Sequence, residues 1–290
     1  MMTESMNARM KAVKVALRER YWAWRLDRLA QQKLALSGRE RHRLRSELIV
    51  SLTSFPPRFP GLHHTLRSLL DQTVAPDRVI LWIAVQDMPL LPKAVRDLEP
   101  FGLSILPVED VLSYKKLVFA LRDFPEAVIV TADDDVFYPR TWLSTLLSGY
   151  DEDRPAIVCR RAHRIKFNDG AFQPYLSWDL DVQDERALTP SKDLAPIGVG
   201  GTLYPPGSLH PDVTRQDLFL KLCPHADDLW FWWMGRRLDT KTRRVGEPFV
   251  LRPIPDTQNA SLKQQNMSGR NDEQLNALVG AFGVKDLRLD

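Results

Sequence analysis

The chain has little cysteine, no long apolar run and no internal repeat, and these absences narrow what it is expected to be. Its two cysteines, Cys159 and Cys223, stand far apart and in no metal-ligand spacing, so a disulfide scaffold is not expected. No segment approaches the roughly 18 uninterrupted apolar residues of a membrane span. The N-terminal residues are charged throughout, which does not fit the apolar centre of a secretory signal. No low-complexity linker is found either. The glycine-rich stretches lack the spacing of a dinucleotide fingerprint or a P-loop, so neither NAD nor ATP is implied. The expectation is a reduced, cytoplasmic protein.

What is present is an ordinary globular composition, 44% hydrophobic and 27% charged, with ample material for a core at 290 residues. The net charge of +3 hides an asymmetry. Residues 1–47 carry 12 Lys and Arg against 5 Asp and Glu, while the remainder holds 28 against 32. The basic character therefore belongs to the N-terminal extension. That argues against a nucleic-acid enzyme, whose positive surface should lie on the folded body. From Met6 to about Leu36 there is no Pro or Gly, and the extension should be helical until Ser37-Gly38. Its Tyr21, Trp22 and Trp24 fit either packing on the body or on a partner or, through residues 1–45, an anionic membrane surface.

From Glu47 the rhythm becomes short apolar runs alternating with helical segments. Leu48–Phe55, Arg78–Val85, Leu103–Val108 and the run Ala127–Val130 read as strands, and "AIVCRR" as one more. Leu62–Gln72, "LPKAVRDLEPFG", Lys115–Phe124 and "WLSTLLSGY" fall between or after them, the first three reading as helices. Continuous apolar strands alternating with helices predict an α/β, Rossmann-like fold: a mostly parallel sheet with helices on both faces. Expected boundaries are a helical extension over 1–46, a catalytic domain over 47–270 and a C-terminal tail over 271–290.

The chemistry-bearing residues cluster at a few places. "VTADDDVFYP" puts Asp133, Asp134 and Asp135 directly after a buried run, at the end of a parallel strand where ligands bind. In an extended chain Asp133 and Asp135 would share one side and Asp134 the other. Such an acidic corner is either solvated or a site for Mg2+ or Mn2+, ions that bridge to substrate phosphates. Lys116 opens a helix just upstream, where an ammonium adds to an anion site. "APIGVGGTLYPPG" offers Gly198, Gly200 and Gly201 for close backbone approach to a ligand. "CPHADDLWFWWMG" sets Asp227 and Asp228 ahead of an aromatic helix. They serve there either as helix caps or as a general base, with Trp230 a flat face for a sugar ring.

In that order, "IVSLTSFPPR", "YKKLVFAL", "VTADDDVFYP", "GVGGTLYPP" and "HADDLWFWW" resemble the nucleotide-sugar-dependent glycosyltransferases of the GT-A fold. The likeness is to the family 2-like group of bacterial surface polysaccharide synthesis, over roughly 48–270. It implies that Ser51, Thr53, Ser54 and Arg58 cradle the nucleotide, with Lys116, Asp133 and Asp134 beside it. It implies that Asp133 reaches the ribose side, that Asp135, with Asp133, holds Mn2+ or Mg2+ in a DxD-type signature, and that Asp228 or Asp227 deprotonates the acceptor hydroxyl. Ala132 stands where many members carry the first acid of D-x-D-D, which leaves Asp134 and Asp135 both open as principal ligand. The acid that usually follows the second strand and reads the base is absent, with Gln86-Asp87 near its place, so the resemblance leaves the donor base open. Arg160, Arg161, Tyr175 and Trp178 fall by position on the acceptor side. The implied activity is sugar transfer from a nucleoside diphosphate donor to a glycan or lipid-linked glycan, with inversion. A metal-dependent phosphoryl or nucleotidyl transferase and an inactive sugar-binding module are the alternatives.

Overall fold

The apolar runs that alternate with helices become strands, buried on both faces in the middle of the sheet and part-buried at its Leu103–Val108 edge. In the computed structural model, positions 20–22, 24, 26, 28, 34, 38–255, 257, 269–287 and 289 are described. Strands β1 (Leu48–Thr53), β2 (Arg78–Ala84), β3 (Leu103–Val108), β4 (Val128–Thr131), β5 (Ile157–Cys159), β6 (Thr202–Tyr204) and β7 (Thr242–Arg244) form one sheet. Its order is β3-β2-β1-β4-β6-β5-β7. All neighbours pair in parallel except β6, which runs antiparallel to both β4 and β5. The expected α/β architecture with a mostly parallel sheet is what the chain forms.

Strand periodicity divides the apolar residues between two layers. Leu48, Val50 and Leu52 of β1, with Val79, Leu81 and Ile83 of β2, enter one core. Helices α1 (Phe59–Leu70) and α3 (Trp142–Ser148) cover it, through Leu62, Leu66, Leu69, Trp142 and Leu146. Ile49, Ile80, Trp82 and Ile129 face the other core, covered by α2 (Lys115–Asp123) and α5 (Asp227–Arg236). Helix α1 starts earlier than the apolar pattern indicates, because Pro60 sits in its first turn, where a missing N–H costs nothing. The expected helix in "LPKAVRDLEPFG" is a single turn, Lys93–Arg96. Pro100 cannot extend it, and Gly102, at φ 102°, turns the chain into β3.

Helix α5 is buried on every side from Leu229 to Gly235, as an apolar run of helix must be. The 271–290 stretch, expected as a tail, is helical over α6 (Asn271–Phe282) and packs Leu275 and Leu278 into the second core near α4 (Gln216–Leu222). The buried Arg236 ties its end down, donating to Leu287 O at 2.7 Å. Positions 1–19 of the basic extension lie outside the described residues. The described positions between 20 and 28 are helical, with Leu26 buried. No helix among the described residues is long and apolar enough to cross a membrane.

The register positions the site. Ser51 of β1 pairs with Thr131 of β4, Thr131 with Thr202 of β6, and Thr202 with Cys159 of β5. Because β6 is antiparallel, its start lies at the edge where β1, β4 and β5 end. The loops 54–58, 132–137, 160–161 and 197–201 therefore open onto one edge of the sheet.

Candidate active site

At that edge the acidic triplet is not extended; the chain turns at Asp134 and Asp135. The turn overrides the alternation expected of a strand. Asp134 and Asp135 are gathered on Arg58, whose Nη1 lies 2.9 Å from Asp134 Oδ1 and 2.5 Å from Asp135 Oδ2. Ser54 Oγ–H donates to Asp134 Oδ2 at 2.5 Å, and Thr65 Oγ1–H to Asp134 O at 3.0 Å. Burial pushes the Asp134 carboxyl up to about 6 despite Arg58. Asp133 turns the other way. Its backbone N–H donates to Tyr138 Oη at 2.9 Å, and its carboxylate pairs with Lys116 Nζ at 3.1 Å.

Lys116 is the centre of the site. It is buried in the first turn of α2, where the helix dipole disfavours a cation. Burial works against its charge, but Asp133, Asp227 and Asp228 outweigh that and hold its pKa well above the ordinary lysine value. Asp227 Oδ2 stands 2.9 Å from Nζ. Asp228 accepts a hydrogen bond from Gly198 N–H at 2.8 Å. Neither acid caps α5: the position before the helix is Ala226, with no side-chain cap bond. Asp228 is half-buried as a residue, and the protein crowded around its carboxyl pushes it up to about 7 against the pull of Lys116. The phenols of Tyr204 and Tyr175 are raised by burial first and by Asp228 next. A carboxyl that titrates near neutrality beside a buried ammonium can accept a proton from a hydroxyl while the cation faces an anion.

Several expected site residues do other work. Ser51 is fully buried; its Oγ–H donates to Lys116 O at 2.5 Å and its Oγ accepts from Trp82 Nε1 at 2.8 Å, so it seats α2. Thr53 donates to Trp82 O at 2.8 Å. Trp230 is a core residue with its indole N–H on Val213 O, and no face of it is open to a sugar. Trp178 is buried against Tyr175, donating to Gln173 O. Arg160 is turned away from the site, onto Val245 O and Glu247 O at 3.2 and 3.0 Å. Arg161 is paired through two nitrogens with Asp181, at 3.0 and 2.8 Å. Gly200 and Gly201 admit a side chain rather than a ligand: Trp142 Nε1–H donates to Gly200 O at 2.7 Å, and a Cβ on Gly201 would sit 2.5 Å from the Trp142 ring. Gly198 is the glycine that meets the chemistry, since a Cβ there would lie 2.7 Å from Asp228 Oδ1 and 3.1 Å from Lys116 Nζ. Tyr138, which links Asp133 to Val199 O, went unread in the sequence, although it follows the triplet by three positions.

Among the described residues no group of three or more His, Cys, Asp and Glu side chains is arranged to hold a metal ion. Mg2+ and Mn2+ need less than that, because one or two carboxylates suffice when waters and phosphate oxygens complete the shell. Asp133 and Asp135 each offer the donor chemistry for such an ion, Asp133 in competition with Lys116 and Asp135 with Arg58.

No protein-family model and no curated protein matches the chain. Among solved structures it is similar to a mannosyltransferase from Pyrobaculum calidifontis in complex with GDP-Man and Mn2+, at 18% identity and a TM-score of 0.33. That match covers 54% of this chain and 46% of the other, so the chain spans about half of the mannosyltransferase. It is also similar to a glucosyl-3-phosphoglycerate synthase from Mycobacterium tuberculosis in complex with Mn2+, UDP and glucosyl-3-phosphoglycerate (12% identity, TM-score 0.44, covering 82% and 81%). A third is a CMP:2-keto-3-deoxy-manno-octonic acid synthetase complexed with CTP (12% identity, TM-score 0.43, covering 80% and 99%). Each score lies below 0.5, so what this chain does has to be read from its own side chains.

The glycine assignments are testable by stability. Gly201 has φ 91° and no room for a Cβ, whereas Gly207 has φ 67° and nothing within 4 Å. Urea unfolding should show Gly201→Ala losing about 3 kcal/mol or more and Gly207→Ala only about 1 kcal/mol. Equal losses would remove the packing role from Gly201.

Proposed function

We propose that the protein transfers a sugar from a nucleoside diphosphate donor to a hydroxyl of a glycan or lipid-linked glycan, in one displacement that inverts the anomeric centre. The observation that carries this reading is the Asp228 carboxylate, oriented by Gly198 N–H and near neutrality, beside the buried Lys116 ammonium. In this reading the acceptor oxygen bonds to the anomeric carbon as the bond from that carbon to the diphosphate oxygen breaks. The acceptor proton passes to Asp228, and the electron pair leaves with the diphosphate. Lys116 and Arg58 lie where they can meet that departing charge, fixed in place before it develops. Mn2+ or Mg2+, when bound to Asp133 and Asp135, would supply further neutralisation of the diphosphate. Asp227 keeps Lys116 charged and aimed. Arg161 and Tyr175 form the acceptor side, and the acceptor class that the sequence resemblance implies is a growing bacterial surface polysaccharide. The catalytic unit is residues 47–270, supported by the flanking stretches.

The same reading gives the extension a membrane-facing role. Tyr21 and Trp24 are 57% and 51% exposed, and the Arg28 guanidinium lies 5.1 Å from the Trp24 ring centroid. Aromatic rings beside arginines on a basic helix suit an anionic lipid surface. Co-sedimentation with phosphatidylserine vesicles should fall when Tyr21 and Trp24 are both changed to Ala, and should weaken with salt, being screened over roughly 10 Å at 0.1 M. Binding indifferent to both would remove the membrane from the scheme.

The base assignment has its own test, with UDP- and GDP-sugars as donors. Asp228→Asn should leave UDP or GDP binding near normal by calorimetry and lower turnover about 100-fold or more. Asp135→Asn should instead weaken Mn2+-dependent nucleotide binding. For the unaltered protein kcat/KM should rise with pH and level off above about 7, because the base must be ionised. Release of pyrophosphate rather than the nucleoside diphosphate would mean nucleotidyl transfer. Stability runs opposite to activity. The folded pKa lies above the ordinary 3.8, so the folded chain holds the extra proton between the two values, and this residue's contribution falls as pH rises from about 4 to 7. Relative to the unaltered protein, Asp228→Asn should therefore gain in melting temperature as pH rises through that window. A constant difference would place the proton elsewhere.

A further inference from the structure

Trp22 belongs to the basic extension, yet its ring is turned onto the body. The indole N–H donates to Pro253 O at 3.0 Å. Its ring meets Phe137 edge-on, with centroids 5.5 Å apart and planes at 88°, and the Arg252 guanidinium lies 5.8 Å from the indole centroid. The segment it touches is itself bound to the acidic loop. Phe137 N–H donates to Arg252 O at 2.9 Å, Ile254 N–H donates to Asp135 O at 2.8 Å, and Val136 bridges Pro253 in antiparallel sense. One indole thus contacts both strands of the short ladder that fixes the backbone of Asp135. On the inner side, a Cβ on Gly61 would lie 2.7 Å from Ile254 and 3.0 Å from Thr257, so the segment is already pressed against α1. Leu26, one helical turn beyond the half-buried Trp22, is fully buried and seats the same face of the extension.

From these contacts we infer that Trp22 is a positioning residue for the donor site: it clamps residues 252–254 onto the loop 135–137 and thereby sets the carboxylate of Asp135. The extension is then a working part of the catalytic body, and anything that lifts its helix loosens the donor site. The inference rests on the donor role given above to the acidic loop. Its test separates the two. Hydrogen–deuterium exchange needs no ligand, and Trp22→Ala should speed exchange of the Phe137 and Ile254 amides about tenfold, as local opening does, with the β1 amides unchanged. The same variant should weaken binding of UDP or GDP in the presence of Mn2+ by about tenfold, with kcat at saturating nucleotide-sugar nearly unchanged, the scale of one lost net interaction. Trp22→Phe keeps the ring against Phe137 and should restore most of both. Unchanged exchange in Trp22→Ala overturns the clamp, and faster exchange with unaltered nucleotide affinity overturns its role in donor binding. If neither nucleotide binds the unaltered protein, the donor reading falls, while the exchange rates still judge the clamp.

Discussion

A buried ammonium at the start of a helix is the constraint on which this site depends. Taking a charge of that kind out of water costs several kcal/mol even after relaxation, and Lys116 additionally faces the positive end of α2. Only carboxylates brought against it make the arrangement tolerable, and they come from remote parts of the chain. Asp133 arrives from the end of β4 and Asp227 from the start of α5, at 3.1 and 2.9 Å. A buried ion pair of this sort is poor evidence for stability, since apolar residues of the same shape would often serve better. It is better evidence for a site that must meet an anion.

The surroundings read as supports for that centre. Ser51 holds the first turn of α2 through Lys116 O, Tyr138 holds the backbone of Asp133, and Gly198 holds the carboxylate of Asp228. Arg58 and Ser54 do the same for Asp134 and Asp135 on the other side of the turn. Two clusters result, each with cation and carboxylates, meeting along three consecutive residues. Their charges are fixed by hydrogen bonds in advance, which is the condition under which electrostatic stabilisation of a leaving group is effective. Asp228 stands at the edge of this arrangement, and the burial that raises its carboxyl to about 7 works against the pull of Lys116.

Much of the architecture was legible in the chain because strand and helix periods are local. The residues Leu48 to Thr53 alternate between two cores and are apolar throughout the first five positions save Ser51, which marks a strand covered on both faces. The acidic triplet, Lys116 and the Asp227–Asp228 pair could be picked out because charge next to buried runs is unusual. Other residues suit a ligand by type and neighbourhood alone: Trp230, Trp178, Arg160, Gly200 and Gly201 are each engaged in the protein's own packing and hydrogen bonds. An aromatic ring that suits a sugar suits a core equally well, and a glycine that admits a ligand admits Trp142.

While β6, β7, α4 and α6 emerged only with the fold, what the sequence determined by itself is therefore the order of β1 to β5, the helices α1, α2 and α5, and the identity of the charged groups at their ends. Those depend on contacts within a few residues, where hydrophobic period and turn chemistry act. Which charges meet was decided only by the fold. Lys116 reaches Asp133 and Asp227 at the edge where β1 and β4 end, and Trp22 reaches Pro253 across 231 positions, pairings that no local pattern specifies. The same packing sets the surroundings of each acid. Asp227 and Asp228 are identical and adjacent in sequence, yet α5 points one at the ammonium of Lys116 and the other at the backbone of Gly198, a distinction that only the fold makes.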